Sequence, residues 1–159
     1  PSAAAVVAVT APNRPLTVAW CGDCRAYILP RPGNTAQRLT NDHNLRRVSP
    51  EDDETLPGDR SMLTSLLGTC DDDESALTSF GHPVVEAVTL PGAPGESRRL
   101  VLASCGAYEP HEDGGHPLAG ELTGTPREAA RRFTAKAVQL SLAASRALDP
   151  NRPNADNAT

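Results

Sequence analysis

The chain has 159 residues and a formal net charge of −5 at pH 7, so we expect one domain over residues 1–159. The excess of acidic residues argues against nucleic-acid binding, which needs a basic surface. No apolar stretch approaches the about 20 residues of a membrane span. Residues 1–10 lack the basic start of a signal peptide. Four cysteines without a dense framework favour a reducing cytoplasm.

The first 40 residues predict an antiparallel meander of short strands. Residues 5–9 form a nearly continuous apolar run, typical of a strand that is buried on both faces. Residues 16–20 predict a second strand, and residues 25–29 continue it or form a third. A short strand is expected at residues 36–40, after the Pro-Gly turn at positions 32 and 33.

The middle of the chain mixes predicted loops with strands. Strands are expected at residues 84–90 and 98–103, and a helical turn or two at residues 62–67. The remaining stretches predict loops, and these are residues 49–60, the solvated acidic run 71–74, and the Gly-, Pro- and His-rich stretch 106–124. The side chains expected on buried strands are Val6, Val18, Ile28, Val101 and Leu102.

The clearest helix prediction covers residues 126–148. Thr125 and Glu128 have the spacing of a capping box, and Pro126 is at the first helical position. One apolar stripe has helical spacing and consists of Ala130, Phe133, Ala137, Leu140, Ala144 and Leu148. We expect Phe133, Ala137 and Leu140 to face a sheet, and residues 154–159 to begin a further strand.

Two cysteines allow a redox interpretation. The run Trp-Cys-Gly-Asp-Cys at residues 20–24 resembles the Trp-Cys-Gly-x-Cys of thioredoxin-like oxidoreductases. That chemistry places the first thiol at the N-terminus of a long helix, which stabilises the thiolate. The prolines at positions 30 and 32 would break such a helix within two turns. A thiol-disulfide oxidoreductase using Cys21 and Cys24 is therefore the more distant alternative.

Five short motifs, taken in their order along the chain, resemble those of a different protein family. They are Cys-Gly-Asp-Cys-Arg-Ala-Tyr at residues 21–27, Leu-Thr-Asn-Asp-His at 39–43, Leu-Thr-Ser-Leu-Leu-Gly at 63–68, Ser-Cys-Gly-Ala at 104–107 and Asp-Asn-Ala-Thr at 156–159. In this order the motifs resemble the PPM-type (protein phosphatase 2C-like) metal-dependent serine/threonine phosphatases. The resemblance spans nearly the whole chain and is to the latter part of the phosphatase domain. It implies a domain that lacks its N-terminal strand or strands and its final strand.

The resemblance implies an α+β fold, a four-layer α-β-β-α sandwich of two antiparallel sheets flanked by helices. It also implies a two-metal centre of Mg²⁺ or Mn²⁺ that activates water for attack on phosphoserine and phosphothreonine esters. In the family, one metal-binding aspartate comes from an Asp-Gly-x-Gly-Gly segment, which is absent here. Asp156 matches a metal position, whereas Cys105 replaces a second aspartate with a softer ligand. We therefore expect weak or no binding of Mg²⁺ or Mn²⁺.

No residue is assigned a catalytic role. We expect Asp23 to be a turn residue, Arg25 to pair locally, and the pair Asp42 and His43 to fix the loop that follows. Structural roles in the family motifs are assigned to Gly22, Asp23, Arg25, Asp42, His43, Ser104, Gly106 and Asn157. Buried free thiols are expected in place of a zinc site built from Cys21, Cys24, Cys70 and Cys105, and residues 111–116 are expected to be a flexible loop.

These patterns predict a cytoplasmic PPM-type phosphatase domain whose activity is impaired or absent. The alternative is a pseudophosphatase, a binding and regulatory module that keeps the fold without the chemistry. In either case the expected partner is a phosphoprotein or a regulatory protein, with no nucleic acid and no membrane.

Overall fold

The computed structural model describes residues 1–12, 14–31, 35–49, 61–69, 72–92, 97–151 and 153–155. Its strands are β1 Ala5–Val9, β2 Leu16–Cys21, β3 Arg25–Arg31, β4 Gln37–Arg38, β5 Glu86–Leu90 and β6 Ser97–Ala103. Its helices are α1 Leu45–Val48, α2 Asp73–Phe80, α3 Cys105–Asp113, α4 Leu118–Glu121 and α5 Pro126–Leu148. Residues 50–60, most of the first predicted loop, lie outside the described residues.

The strands form two antiparallel three-stranded sheets, with the orders β1-β2-β5 and β4-β3-β6. Together with the helices they give an α+β fold, which confirms the predicted fold class. The chain divides into two compact units. The first unit comprises residues 1–27 and 38–96, and the second comprises residues 28–37 and 97–159.

The sheet of the first unit is centred on β2. Strand β1 pairs with β2 from Ala5 opposite Cys21 to Val9 opposite Thr17, and β5 pairs with the other edge of β2. Val7 and Val9 are 56% and 65% exposed, so the prediction of burial on both faces of β1 is wrong. Val7 and Val9 lie on the same face of β1, because alternate side chains of a strand point to the same side, and that face is exposed in the described part of the chain.

Two predictions for the middle of the chain are also wrong. Residues 62–67 are not helical, because their backbone pairs with distant segments instead: Leu63 bridges to Asn44, and Leu67 bridges to Ala3. The acidic run is not simply a solvated loop. Asp72 is the N-cap of α2, and its side chain accepts a hydrogen bond from the backbone N–H of Ser75. Acidic groups stabilise a helix N-terminus because of the helix dipole.

The second unit corrects the prediction for residues 106–124, which contain helices α3 and α4. Helix α3 starts after Ser104 and buries the side chains of Tyr108 and His111. His111 is stacked on Phe133 of α5 at 4.4 Å between ring centroids, and its Nε2 donates to the Phe133 carbonyl oxygen at 3.0 Å. Part of the predicted flexible loop is therefore a packed helix, and burial of apolar surface against α5 explains why.

Helix α5 covers the predicted residues 126–148, and both hydrogen bonds of the capping box are present. Phe133 and Ala137 are buried and Leu140 is half-buried. Phe133 stacks on His111 of α3, and packing of the three side chains on a sheet stays a prediction. The ends of the predicted stripe differ, because Ala129 is buried in place of Ala130 and Leu148 is 90% exposed. The buried face is therefore shorter than the sequence periodicity indicated.

The predicted burial of strand side chains is partly correct. Val18 and Ile28 are buried, and Val6 and Val101 are half-buried. Leu102 is 40% exposed, so its predicted burial is wrong; its side chain points to the opposite side of β6 from that of the buried Ala103. No helix among the described residues is long and apolar enough to cross a membrane.

Candidate functional site

A tight turn after β2 sets the geometry of the predicted motif at residues 21–27. Gly22 has a φ of +87°, and a Cβ built there would lie 2.5 Å from the Ala4 Cβ. Only glycine fits both the backbone conformation and the space. The Gly22 carbonyl accepts from the His43 backbone N–H at 3.0 Å, and its own N–H donates to the His43 Nδ1 at 3.4 Å. The turn therefore fixes His43.

A buried ion pair joins β3 to the segment before α1. Arg25 donates from Nε to Asp42 Oδ1 at 2.8 Å and from Nη2 to Asp42 Oδ2 at 2.6 Å. The Arg25 and Asp42 side chains are only 4% and 8% exposed. This bidentate geometry is among the strongest in proteins. It gives Arg25 the local pairing role that the sequence predicted, with a partner from the second motif.

His43 connects the same segment to β5. Its Nε2 lies 3.0 Å from Glu86 Oε2, and because Nδ1 accepts from Gly22, Nε2 carries the proton and donates. Glu86 also accepts two hydrogen bonds from Arg47, at 2.7 and 3.1 Å. His43 thus lies in a polar network rather than in an apolar core.

Burial and charge shift the two ionisable groups of this network. Burial lowers the pKa of His43 below its ordinary value, and the hydrogen bond to Glu86 only partly offsets that effect. For Glu86, burial raises the pKa, but the hydrogen bonds from Arg47 and His43 outweigh it and the net shift is downward. Near neutral pH the network therefore holds a neutral imidazole beside an ionised carboxylate.

A second histidine packs against the first. The rings of His43 and His82 are stacked with centroids 4.2 Å apart. His82 Nδ1 donates to the Pro83 carbonyl oxygen at 2.9 Å, so its Nε2 accepts from the Thr64 hydroxyl, also at 2.9 Å. Both rings are buried and fixed, which indicates a structural role for the pair.

Sequence reasoning missed Glu86, Arg47, His82 and Thr64. Glu86 carried a usable signal, since it is a single charge on the inward face of β5, which is otherwise apolar. A charge at such a position requires a partner. No local pattern marked the other three residues.

The cysteine pair does not have the surroundings of a thioredoxin-like site. Strand β3, rather than a helix, begins directly after Cys24. Burial raises the pKa of both thiols, and the carboxylates of Asp23 and Asp42 raise that of Cys24 further. Both shifts favour the protonated thiol, which is the opposite of what a reactive cysteine needs.

Ser104, Cys105 and Gly106 lie in the second unit, where β6 ends and α3 begins. Ser104 is the N-cap residue of α3 and Cys105 its first residue. Cys105 is half-buried and forms no disulfide. The other predicted metal position, Asp156, and the neighbouring Asn157 lie outside the described residues, as does Cys70.

The residues described do not provide a magnesium site. Within the described ranges, no three His, Cys, Asp or Glu side chains are grouped so that they could hold a metal ion. A thiol at position 105 is a soft ligand, whereas Mg²⁺ and Mn²⁺ prefer carboxylate, carbonyl and water oxygens. The donor set in this part of the chain therefore does not fit the family's two-metal centre.

Comparison with known proteins agrees with the predicted resemblance. The sequence model of the family Protein phosphatase 2C matches residues 2–49, whereas no curated protein matches the chain significantly. The serine/threonine phosphatase PstP/Ppp of Mycobacterium tuberculosis has a similar structure, with a TM-score of 0.61 and 21% identity over 86% of this chain and 54% of that one.

Further solved structures share the fold. PppA of Pseudomonas aeruginosa, described as a regulatory component of a type VI secretion system, has a TM-score of 0.55 and 20% identity over 79% of this chain and 47% of that one. A catalytic domain of PstP with two manganese ions has a TM-score of 0.59 and 17% identity, over 87% of this chain and 53% of that one. The chain spans about half the length of these structures. By its match over residues 2–49 and by its fold, the chain resembles the PPM-type, protein phosphatase 2C-like serine/threonine phosphatases.

Proposed function

We propose that this chain forms part of a PPM-type protein serine/threonine phosphatase domain whose metal-dependent hydrolysis of phosphoserine and phosphothreonine esters is impaired or lost. The observation that carries the proposal is Cys105. The order of motifs aligns it with the family's metal-binding aspartate, and it lies directly after the N-cap of α3, in a chain with the phosphatase fold. A neutral thiol there supplies neither the charge nor the hard oxygen that Mg²⁺ or Mn²⁺ needs.

The polar network of the first unit has a structural role in this proposal. The pair of Arg25 and Asp42 and the cluster of His43, Glu86 and Arg47 hold the two motifs against the sheet. They stabilise the fold whether or not the reaction occurs. Retention of this framework without a matching metal donor also supports the second candidate function, a pseudophosphatase that binds a phosphoprotein or a regulatory protein. The three free cysteines of the described residues, Cys21, Cys24 and Cys105, fit action in the cytoplasm.

Metal binding is the first test. Calorimetric titration with Mn²⁺ and Mg²⁺, on the natural full-length protein that contains these residues, should show weak or no binding. Replacing Cys105→Asp should raise the affinity for Mn²⁺, because it restores an anionic oxygen ligand. Thr134→Asp is the matched control, since it adds the same carboxylate at another half-buried position, on α5. Tight binding of two ions by the unmodified protein would contradict the proposal.

Turnover is the second test. Hydrolysis of p-nitrophenyl phosphate with Mn²⁺ should be very low for the natural protein and higher for Cys105→Asp, provided that the remaining metal ligands are present. Robust turnover of the natural protein that EDTA abolishes would show that the site is intact. No turnover in either protein, together with phosphorylation-dependent partner binding, would favour the pseudophosphatase.

A further inference from the structure

An arginine-lined cavity lies in the first unit, on the side of the segment that leads into α1. Its volume is about 430 Å³, within the range of small-molecule sites, at about 300–1,000 Å³. We call it the arginine pocket, and its lining includes Arg25, Arg38, Asn41, Asp42, Arg46 and Arg47. None of these residues belongs to the family's metal positions discussed above.

Two of the four arginines are committed to ion pairs. Arg25 is held by Asp42, and Arg47 is held by Glu86. Both pairs are bidentate, so these guanidinium groups are fixed and form part of the wall. Their charges are largely balanced by their carboxylate partners.

The other two arginines supply the excess charge. Arg38 Nη1 is 3.9 Å from Asp42 Oδ2, which is too long for a hydrogen bond, and the Arg38 side chain is 40% exposed. Arg46 is exposed and has no hydrogen-bond or ion-pair partner among the described residues. Within the part of the chain that the structure describes, the pocket therefore has two guanidinium groups whose donors are not taken by hydrogen bonds, beside two that are already fixed.

This arrangement selects the chemistry of the ligand. A guanidinium group presents its N–H donors in a planar fork that matches the oxygens of a phosphate. Clustered arginines are a recurring means of recognising phosphorylated peptides. A nucleic acid is disfavoured because the chain has a net charge of −5 and this is a single pocket rather than a basic stripe.

We propose that the arginine pocket binds the phosphate group of a phosphorylated peptide, through Arg38 and Arg46, at a site distinct from the family's metal positions. The phosphate class follows from the pocket itself, whereas the peptide rests on the proposed function, in which phosphoproteins are substrates or partners. The pocket would hold a phosphorylated segment of that protein without hydrolysing it.

The test is a fluorescence-anisotropy titration with a labelled phosphoserine peptide, its unphosphorylated form, and inorganic phosphate as competitor. It uses the natural full-length protein in EDTA. Arg46→Ala and Arg38→Ala should each weaken binding of the phosphopeptide by about three- to tenfold, as expected for one charge-assisted hydrogen bond near the surface. Arg46→Lys should give an intermediate loss, because it keeps the charge but not the fork.

Arg131→Ala is the matched control, since Arg131 is an exposed arginine on α5. It should leave the affinity unchanged, and urea unfolding of each variant should confirm that the fold is intact. The affinity of the natural protein should also fall as salt is added.

Equal binding of the phosphorylated and unphosphorylated peptides would overturn the proposal. So would equal losses in Arg46→Ala, Arg38→Ala and Arg131→Ala, or a phosphopeptide that binds no more tightly than inorganic phosphate. Because the measurement is made in EDTA and needs no turnover, its failure is distinguishable from failure of the proposed phosphatase function.

Discussion

Replacing Asp42→Asn is expected to lower the free energy of unfolding by about 3–5 kcal/mol, the cost of breaking a buried ion pair from one side. The Asp42 carboxylate accepts from Arg25 at 2.8 and 2.6 Å, and the two side chains are 8% and 4% exposed. Asparagine keeps one acceptor and turns an amide donor toward the guanidinium group. It therefore loses at least one charge-assisted hydrogen bond, worth about 1.5–3 kcal/mol, and removes the carboxylate that balances the buried Arg25 charge in this pair.

The assay is urea unfolding followed by circular dichroism. With a urea dependence of about 2 kcal/mol/M, the midpoint should fall by about 2 M. Asp113→Asn is the control, because Asp113 is exposed near the end of α3; its effect should stay within about 0.5 kcal/mol. The double replacement Arg25→Met with Asp42→Leu should cost less than Asp42→Asn alone, since it leaves no buried charge. A loss below about 1 kcal/mol for Asp42→Asn would refute this reasoning.

Three further predictions concern the turn, the long helix and the response to pH. Gly22→Ala should destabilise the fold by about 1–3 kcal/mol because of its positive φ and the lack of space for a Cβ; urea unfolding measures this, and a neutral result would contradict the turn geometry. Thr125→Ala removes the N-cap of α5 and should cost about 1 kcal/mol by the same assay, whereas an unchanged midpoint would show that the cap is dispensable. The free energy of unfolding should fall as the pH drops below 6.5, the ordinary pKa of histidine, because unfolded His43 takes up a proton that folded His43 resists. Glu86 should add a second fall below pH 4.5, since its folded pKa is lowered from that value. Urea midpoints between about pH 8 and pH 3 test both, at no more than about 1.4 kcal/mol per pH unit for each proton. His43→Gln should remove the upper fall.

Local chemistry determined the elements that the sequence predicted well. Helix α5 has the predicted bounds because Pro126, the capping box and the apolar spacing all act within one helix. The strand character of residues 16–20 and 25–29 was also recognisable, since the prolines at positions 30 and 32 exclude a long helix after Cys24. The sequence left open whether they form one strand or two, and the structure has two, β2 and β3. The order of short motifs was enough to indicate the phosphatase fold.

The tertiary structure alone decided which distant side chains meet. Glu86 contacts His43 and Arg47 across 43 and 39 positions of sequence, and no local pattern encodes such a pairing. Residues 62–67 are not helical because Leu63 and Leu67 form backbone bridges with the distant residues Asn44 and Ala3. Helix α3 forms where a loop was expected, because packing of His111 on Phe133 outweighs the weak local preference of a Gly- and Pro-rich stretch. Long-range burial and ion pairing supply free energies larger than local propensities, and they depend on the fold that brings the partners together.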